Sequence, residues 1–369
     1  MSYFLSFLSA FALSVILTAI LRKIGIRFNL VSKPRERDIH KKPVPRIGGL
    51  AIFLSFFLTT LAVFFVIQPS LTFQPISERY DFHMYGILVG GALISLFMFV
   101  DDLRNLKAPV KLFIQILVAL VVIASGIGID TLTNPFGGNL DLNSVYIPLF
   151  QLNGIVYHFS LWSDLLTLIW LVGMMNVLNF IDGIDGLASG QSAIASLVIF
   201  LLSISAVVSQ PATATLSIIL AGSSLGFLVW NFPPAKIFMG DSGSMFLGFM
   251  LGVLPLISGG KLATAFLVLG FPIVDGVFVA ISRLFRGKNP LTTPDKTHLH
   301  HRFLEAGFSQ KEAIISLYLI ALAFGWVALR STTLNKILAS IALVVLLLVL
   351  ILVLNIFSNK KRKNSIIKA

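Results

Sequence analysis

The chain has 369 residues, 56% hydrophobic and only 12% charged, with 32 Phe and no Cys. A soluble domain carries about 25% charged residues, so the composition excludes a water-soluble globular protein and predicts a polytopic membrane protein. The absent cysteines exclude disulfides, a thiolate nucleophile and Cys-ligated metal; the net charge of +12 lies mainly beside apolar runs, which marks membrane topology and lipid headgroups rather than nucleic acid.

Residues 3–21 form the first apolar run, too long for a signal-peptide core and followed directly by Arg22 and Lys23. They read as a retained span. A span needs roughly 20 apolar residues. Ten further stretches fit: 48–67, 84–100, 109–127, 161–179, 187–208, 212–230, 244–258, 262–282, 313–329 and 334–357. The expected fold is therefore an all-α polytopic membrane protein, a bundle of about eleven transmembrane helices, forming one domain over 1–369. With the N-terminus outside, 24 of the 28 Lys and Arg fall on inside segments, which orients the C-terminus and the polar loops to the cytoplasm. Segment 131–158, with Asn134-Pro135 and Gly137-Gly138, predicts a hairpin and an interfacial helix on the outside. The basic tail 358–369 is expected to be disordered near anionic lipid.

The first inside loop contains Lys41 and Arg46 between Pro-rigidified turns, then Gly48-Gly49. It offers a basic surface, although a positive-inside retention signal alone would look the same. Asp101 and Asp102 close the third span. Adjacent carboxylates repel unless a cation or proton compensates them; read alone, they are also an ordinary polar helix end. Lys111 begins the fourth span, where it would snorkel to the interface or meet a lipid phosphate.

Asn176, Asn179, Asp182 and Asp185 recur every three residues at the mouth of the fifth span. On a continuing helix they would lie roughly along one face, but Gly183 and Gly186 loosen the backbone and offer Asp185 a turn instead; the oxygens of the four side chains suit a hard ion such as Mg²⁺. Helix-packing polar contacts or a hydrated loop are the alternatives. Between the seventh and eighth spans, Asn231 to Ser244 includes Phe238, Gly240, Asp241 and Gly243. Small residues before a helix start let a phosphate approach free N–H groups, with Asp241 placed to hold a bridging metal; a capped turn is the plainer reading. Asp275 lies inside the ninth span, either functional or packed on polar neighbours. His298, His300, His301 and Arg302 make a cationic segment suited to a diphosphate, with a solvated loop or a metal site as alternatives.

Together these residues suit Mg²⁺-assisted chemistry on a phosphate ester, with one substrate in the bilayer and one in water. At His40-Lys41-Lys42-Pro43-Val44-Pro45-Arg46-Ile47-Gly48-Gly49, Asp101-Asp102, residues 176–186, residues 231–243 and residues 298–302, the chain resembles the polyprenyl-phosphate N-acetylhexosamine-1-phosphate transferases. Leu299 interrupts the His run, and the early loop has Pro-Val-Pro-Arg. Both features are similar to the undecaprenyl-phosphate N-acetylglucosamine-1-phosphate transferase branch rather than to the phospho-N-acetylmuramoyl-pentapeptide transferases.

The resemblance implies transfer of a sugar 1-phosphate from a UDP-N-acetylhexosamine to undecaprenyl (polyprenyl) phosphate, with release of UMP and a need for Mg²⁺, for which Mn²⁺ can substitute. It implies that Asp241 and Asn179 hold the metal. Asp101 or Asp102 would orient or deprotonate the lipid phosphate opposite Lys111. Asp185 and Phe238 would take the uracil, and His298, His300, His301 and Arg302 the diphosphate and sugar. Asp182 belongs to the motif without a single role. Asn176, Asn231, Arg46 and Lys41 complete the expected substrate surface, and a homodimer is compatible with it. The competing class is an ion-coupled transporter, against which stand the one-sided placement of the carboxylates and the lack of a repeat; a lipid-binding structural protein would leave the acidic clusters unexplained.

Overall fold

A computed structural model describes residues 2–32, 43–73, 82–134, 137–152, 155–259, 262–287 and 298–368. The described elements run in the order α1 (Tyr3–Arg27), β1 (Val31–Ser32), β2 (Val44–Pro45), α2 (Gly49–Leu61) continued by a π-helical stretch (Ala62–Ile67), α3 (His83–Arg104), α4 (Ala108–Ala124), β3 (Thr131–Thr133), β4 (Asn139–Asp141), β5 (Tyr146–Leu152), β6 (Ile155–Ser160), α5 (Leu161–Ile181), α6 (Leu187–Ser203), α7 (Pro211–Asn231), α8 (Gly240–Ile257), α9 (Leu262–Val268), α10 (Gly270–Phe285), α11 (Leu299–Ala306), α12 (Gln310–Arg330) and α13 (Thr333–Lys368).

Every predicted span falls on helix, but the helices are not equal. Among the described residues eight are long and apolar enough to cross a membrane, or nine with the pair α9–α10 counted as one span. Helices α4 and α6 have 17 residues each, roughly 25 Å at about 1.5 Å per residue, short of a full hydrocarbon crossing of about 30 Å. The predicted span 262–282 is not straight: α9 and α10 meet at 81°. Pro272 lies in the first turn of α10, where its missing N–H costs little. The carbonyl it would have served, that of Val268, accepts instead from the buried Gln191 amide at 2.8 Å.

Small residues set the packing. Helix α1 buries Ser6, Ala10, Ser14 and Thr18, a stripe four residues apart. It meets Gly222 and Gly226 of α7, where an added Cβ would come within 2.5 Å of the Phe7 and Phe11 carbonyl oxygens. This is close backbone packing of the Gly-x-x-x-Gly kind. Helix α8 lies at the centre with all 18 of its residues buried. Its Gly248 would clash with the Met174 carbonyl of α5 if it carried a Cβ, at 2.5 Å.

The segment between α4 and α5 forms two antiparallel hairpins, β3–β4 and β5–β6, and no helix among its described residues. The hairpin expectation fits, whereas the expected interfacial helix does not appear among the described residues: Tyr146–Leu152 forms β5 instead, where Ile147 pairs with Phe159. Helix α13 runs on to Lys368, through the segment read from sequence as a disordered tail. The ends of α1, α3, α5, α7 and α10 and the starts of α2, α4, α6, α8 and α12 gather the polar loops at one end of the bundle.

Candidate active site

Helix α3 ends because Asn105 turns left-handed, at φ 51°, and Asp101 accepts the Leu106 N–H at 2.6 Å to close the turn. This places Asp101 and Asp102 beside the first turn of α8. Asp102 accepts from the backbone N–H groups of Asp241 (2.8 Å) and Ser242 (3.1 Å) and from the Ser242 hydroxyl (2.7 Å). The N–H groups expected to be open to a phosphate are thus occupied by a carboxylate from another helix. The dipole that attracts phosphate attracts Asp102 equally, and an added Cβ at Gly240 would lie 2.5 Å from its Oδ2. Helix α8 also begins earlier than its apolar run suggests, so Asp241 lies in its first turn.

Two cations brace the carboxylates. Arg46 contacts Asp241 Oδ1 at 2.7 Å and Asp102 Oδ1 at 3.5 Å. Lys111 contacts Asp101 Oδ2 at 2.6 Å and Asp241 Oδ2 at 2.7 Å. Burial pulls the Arg46 guanidinium down, but Asp241, Asp102, Asp182 and Asp101 outweigh it and hold its pKa above the usual value. Arg46 is positioned by backbone pairing: Phe238 N–H donates to the Pro45 carbonyl (2.7 Å), Gly48 N–H to that of Phe238 (3.0 Å) and Gly49 N–H to that of Met239 (2.7 Å). A Cβ at Gly49 would fall 2.1 Å from the Gly243 nitrogen, which explains the pair of glycines.

Ligand atoms of Asp101, Asp102 and Asp241 lie within 4.8 Å of one another. An all-oxygen set of this size fits Mg²⁺ or Mn²⁺, and the two bracing cations show how strongly the charge needs compensation. Asn179 donates its amide N–H to Ser244 Oγ at 3.0 Å, so the ligand atom it would offer is its carbonyl oxygen.

The remaining members of the 176–186 motif do not share one face. Helix α5 stops at Ile181, and Gly186 is left-handed with φ 79°. Asn176 points into the bundle and donates to Gln115 of α4 at 2.9 Å. Gln115, a polar residue in the middle of α4, is the sequence signal for that contact. Asp182 caps α5; burial pushes its carboxyl well above the usual range, with Asp241, Asp102 and Asp185 adding to the shift and Arg46 opposing it. Asp185 accepts the Ala235 N–H at 2.9 Å. Asn231 is buried, with its oxygen taken by Gly186 N–H (2.9 Å) and Ser189 (3.1 Å) and its N–H given to Ile237 (3.0 Å). Asn231 thus shapes the turn. Phe238 is half-buried.

Asp275 of α10 organises the histidine segment. It bonds His298 Nδ1 and accepts the Leu299 N–H, each at 2.8 Å, and so starts α11. His298 and His300 stack with ring centroids 5.6 Å apart, and His301 is 4.4 Å from His300. His300 is 1% exposed, neither ring nitrogen has a partner among the described residues, and a Cβ at Gly183 would lie 2.5 Å from its Nε2. Burial, then His301 and His298, push its pKa well below the usual range and keep it neutral. Arg302 bonds Asn355 of α13 and lies over Phe278 at 5.7 Å. Arg283, unnoticed in the sequence, lies over Phe180 at 5.7 Å. Lys41 lies outside the described residues.

Fold and site together define a polytopic membrane protein with a buried acidic centre, suited to a hard cation, at one end of its helices. A profile described as glycosyl transferase family 4 matches residues 84–259. The chain is 33% identical over 328 residues to the "Probable undecaprenyl-phosphate N-acetylglucosaminyl 1-phosphate transferase" of Bacillus subtilis, covering 87% of this chain and 83% of that one. It is 34% identical to the "Decaprenyl-phosphate N-acetylglucosaminephosphotransferase" of Mycolicibacterium smegmatis (86% and 80% covered). The "Undecaprenyl-phosphate alpha-N-acetylglucosaminyl 1-phosphate transferase" of Thermotoga maritima is 31% identical (79% and 78% covered). The chain belongs to glycosyl transferase family 4.

Proposed function

We propose that the protein transfers N-acetylglucosamine 1-phosphate from the UDP-sugar to undecaprenyl phosphate, releasing UMP and leaving a polyprenyl-diphosphate-linked sugar. The observation that carries this reading is the acidic trio braced by Arg46 and Lys111, in a chain whose relatives are named for that transfer. Asp241, Asp101 and Asp102, with the Asn179 oxygen, would hold Mg²⁺, which supplies positive charge to the donor diphosphate when bound. Arg46 and Lys111, which brace these carboxylates, would supply positive charge on the protein side to phosphate oxygens as charge shifts to the leaving group. The acceptor phosphate is already mostly ionised near neutral pH, its second pKa being about 6. Positioning and charge neutralisation therefore carry most of the burden, and little is asked of a base. Asp102 is occupied as the cap of α8. Asp101, held by Lys111 and the Leu106 N–H, is the better candidate to orient the acceptor. Phe238 and Asp185 would face the uracil, and the histidine segment the diphosphate and sugar.

The test is direct. Purified protein given UDP-N-acetylglucosamine, undecaprenyl phosphate and Mg²⁺ should release UMP and form a lipid-linked sugar phosphate, and should stop when the metal is chelated. No UMP with a panel of UDP-sugars overturns the reading. The site is proposed to face the cytoplasm, on the 24 of 28 basic residues assigned to that side. A membrane-impermeant thiol reagent on intact cells should label Asn139→Cys and spare Ser309→Cys. The opposite pattern reverses the topology.

A further inference from the structure

We infer a separate binding site for an anionic phospholipid headgroup where α1 and α7 end, built by Arg22, Trp230 and Lys236. Arg22 approaches the Trp230 ring to 5.9 Å from its centroid, and Lys236 to 5.3 Å. The approach of Lys236 is enforced by the backbone, since its N–H donates to the Trp230 carbonyl at 2.8 Å and folds the loop back over the ring. Two positive charges are thus gathered on one indole. Neither Arg22 nor Lys236 has an acidic partner among the described residues, in contrast to Arg46 and Lys111.

Two donors there also lack acceptors among the described residues: Arg22 Nε and Trp230 Nε1 are both shielded and unpaired there. Buried N–H groups ordinarily find a partner, and a guanidinium and an indole offer donors alone, with no acceptor to return. The missing partner must therefore bring acceptor oxygens, and the two cations call for negative charge. A phosphate diester supplies both. The flanking surface selects a lipid over a free anion. Val229 and Phe232, on either side of the Trp230–Asn231 pair, are 56% and 38% exposed, and Ile16, Ile20 and Ile24 form an exposed apolar stripe along α1. Trp and basic residues at a span end are suited to the headgroup level, with acyl chains lying along the helices. Lys236 lies on the loop that leads through Phe238 to α8, yet the site uses none of the residues assigned to the transfer.

Intrinsic tryptophan fluorescence of the full chain in detergent tests this without any sugar nucleotide, so the result is independent of the transferase reading. Phosphatidylglycerol with brominated acyl chains should quench wild type saturably, and brominated phosphatidylcholine should not. Trp230→Phe should lose the saturable part. Lys236→Gln, at an exposed position that leaves the helix packing intact, should weaken half-saturation several-fold, and its combination with Arg22→Gln by about tenfold or more. Arg330→Gln removes a comparable cation over Trp326, at 4.8 Å, and should change nothing. Equal quenching by the two lipids, or an unchanged half-saturation in Lys236→Gln, overturns the proposal. Displacement of the brominated lipid by millimolar inorganic phosphate would make this a free-anion site and overturn the lipid assignment. Displacement by undecaprenyl phosphate at far lower concentration than by phosphatidylglycerol would assign the site to the acceptor and overturn it equally.

Discussion

At the acidic centre three carboxylates share two cations, and Asp102 takes two backbone N–H groups as well. Among the described residues, the histidine segment is organised by a single carboxylate, Asp275, and its innermost ring, His300, is neutral and has no partner there. The two regions meet through the α5–α6 turn, where Asp182 feels Arg46 and Asp241 and Gly183 touches His300. The difference teaches where charge has been compensated in advance and where polar capacity is left unspent. In the first region removing one group uncovers another buried charge, which is expensive. In the second, removing one ring relieves an unsatisfied group and disturbs mainly shape.

The largest expected effect is therefore at the first region. Asp241→Asn removes the one carboxylate that contacts both cations. It should lower turnover by at least about 10²-fold, while the protein still extracts as a monodisperse species. Activity near wild type at saturating Mg²⁺ would break the comparison, because the centre would then tolerate uncompensated cations.

A second test separates the centre from the nucleotide surface. The sequence resemblance gives Lys111 to the acceptor phosphate alone. Its contacts to both Asp101 and Asp241 now predict that Lys111→Ala lowers kcat and raises KM for both substrates. Phe238→Ala should raise KM for the UDP-sugar only, through lost stacking of roughly 1–3 kcal/mol. Apparent KM values for each substrate in both variants decide it; a selective acceptor effect in Lys111→Ala would restore the original division of labour.

Gly183→Ala acts at the second region. The added Cβ would press on His300 Nε2, so the ring must shift and the histidine segment with it. A several-fold rise in donor KM with little change in thermal stability is expected. An unchanged KM would mean that the segment does not reach the donor.

The smallest effect is in pH. The His300 pKa is lowered by folding, so the unfolded chain binds the proton more readily. Its contribution to stability is complete above the unfolded pKa, about 6.5, and is lost as pH falls below that value towards the folded pKa. Thermal unfolding should show Tm decreasing between pH 7 and pH 5, and His300→Gln should flatten that decrease. An equal slope in the variant would assign the acid sensitivity elsewhere.

Local sequence carries what depends on local chemistry. Hydropathy marks the helices because each stretch must meet lipid or a packed neighbour along its own length. The positions of Asp101, Asp102, Asp241 and the histidine segment at span ends are legible for the same reason, as is the basic bias of the loops. The turn at Gly183 and Gly186 that takes Asp185 to Ala235 is legible as well, whereas the contact of Asn176 with Gln115 is not, because it depends on which helix packs against α5. The tertiary structure alone pairs Arg46 with Asp241 across 195 positions, Lys111 with Asp241 across 130, and Asp102 with the α8 N-terminus across 139. No local pattern specifies which cation meets which carboxylate. That choice follows from where glycines let backbones approach, as Gly49 does at Gly243, and from the low dielectric of the bundle end, which leaves a buried carboxylate stable only beside the charges and N–H groups that the fold brings to it.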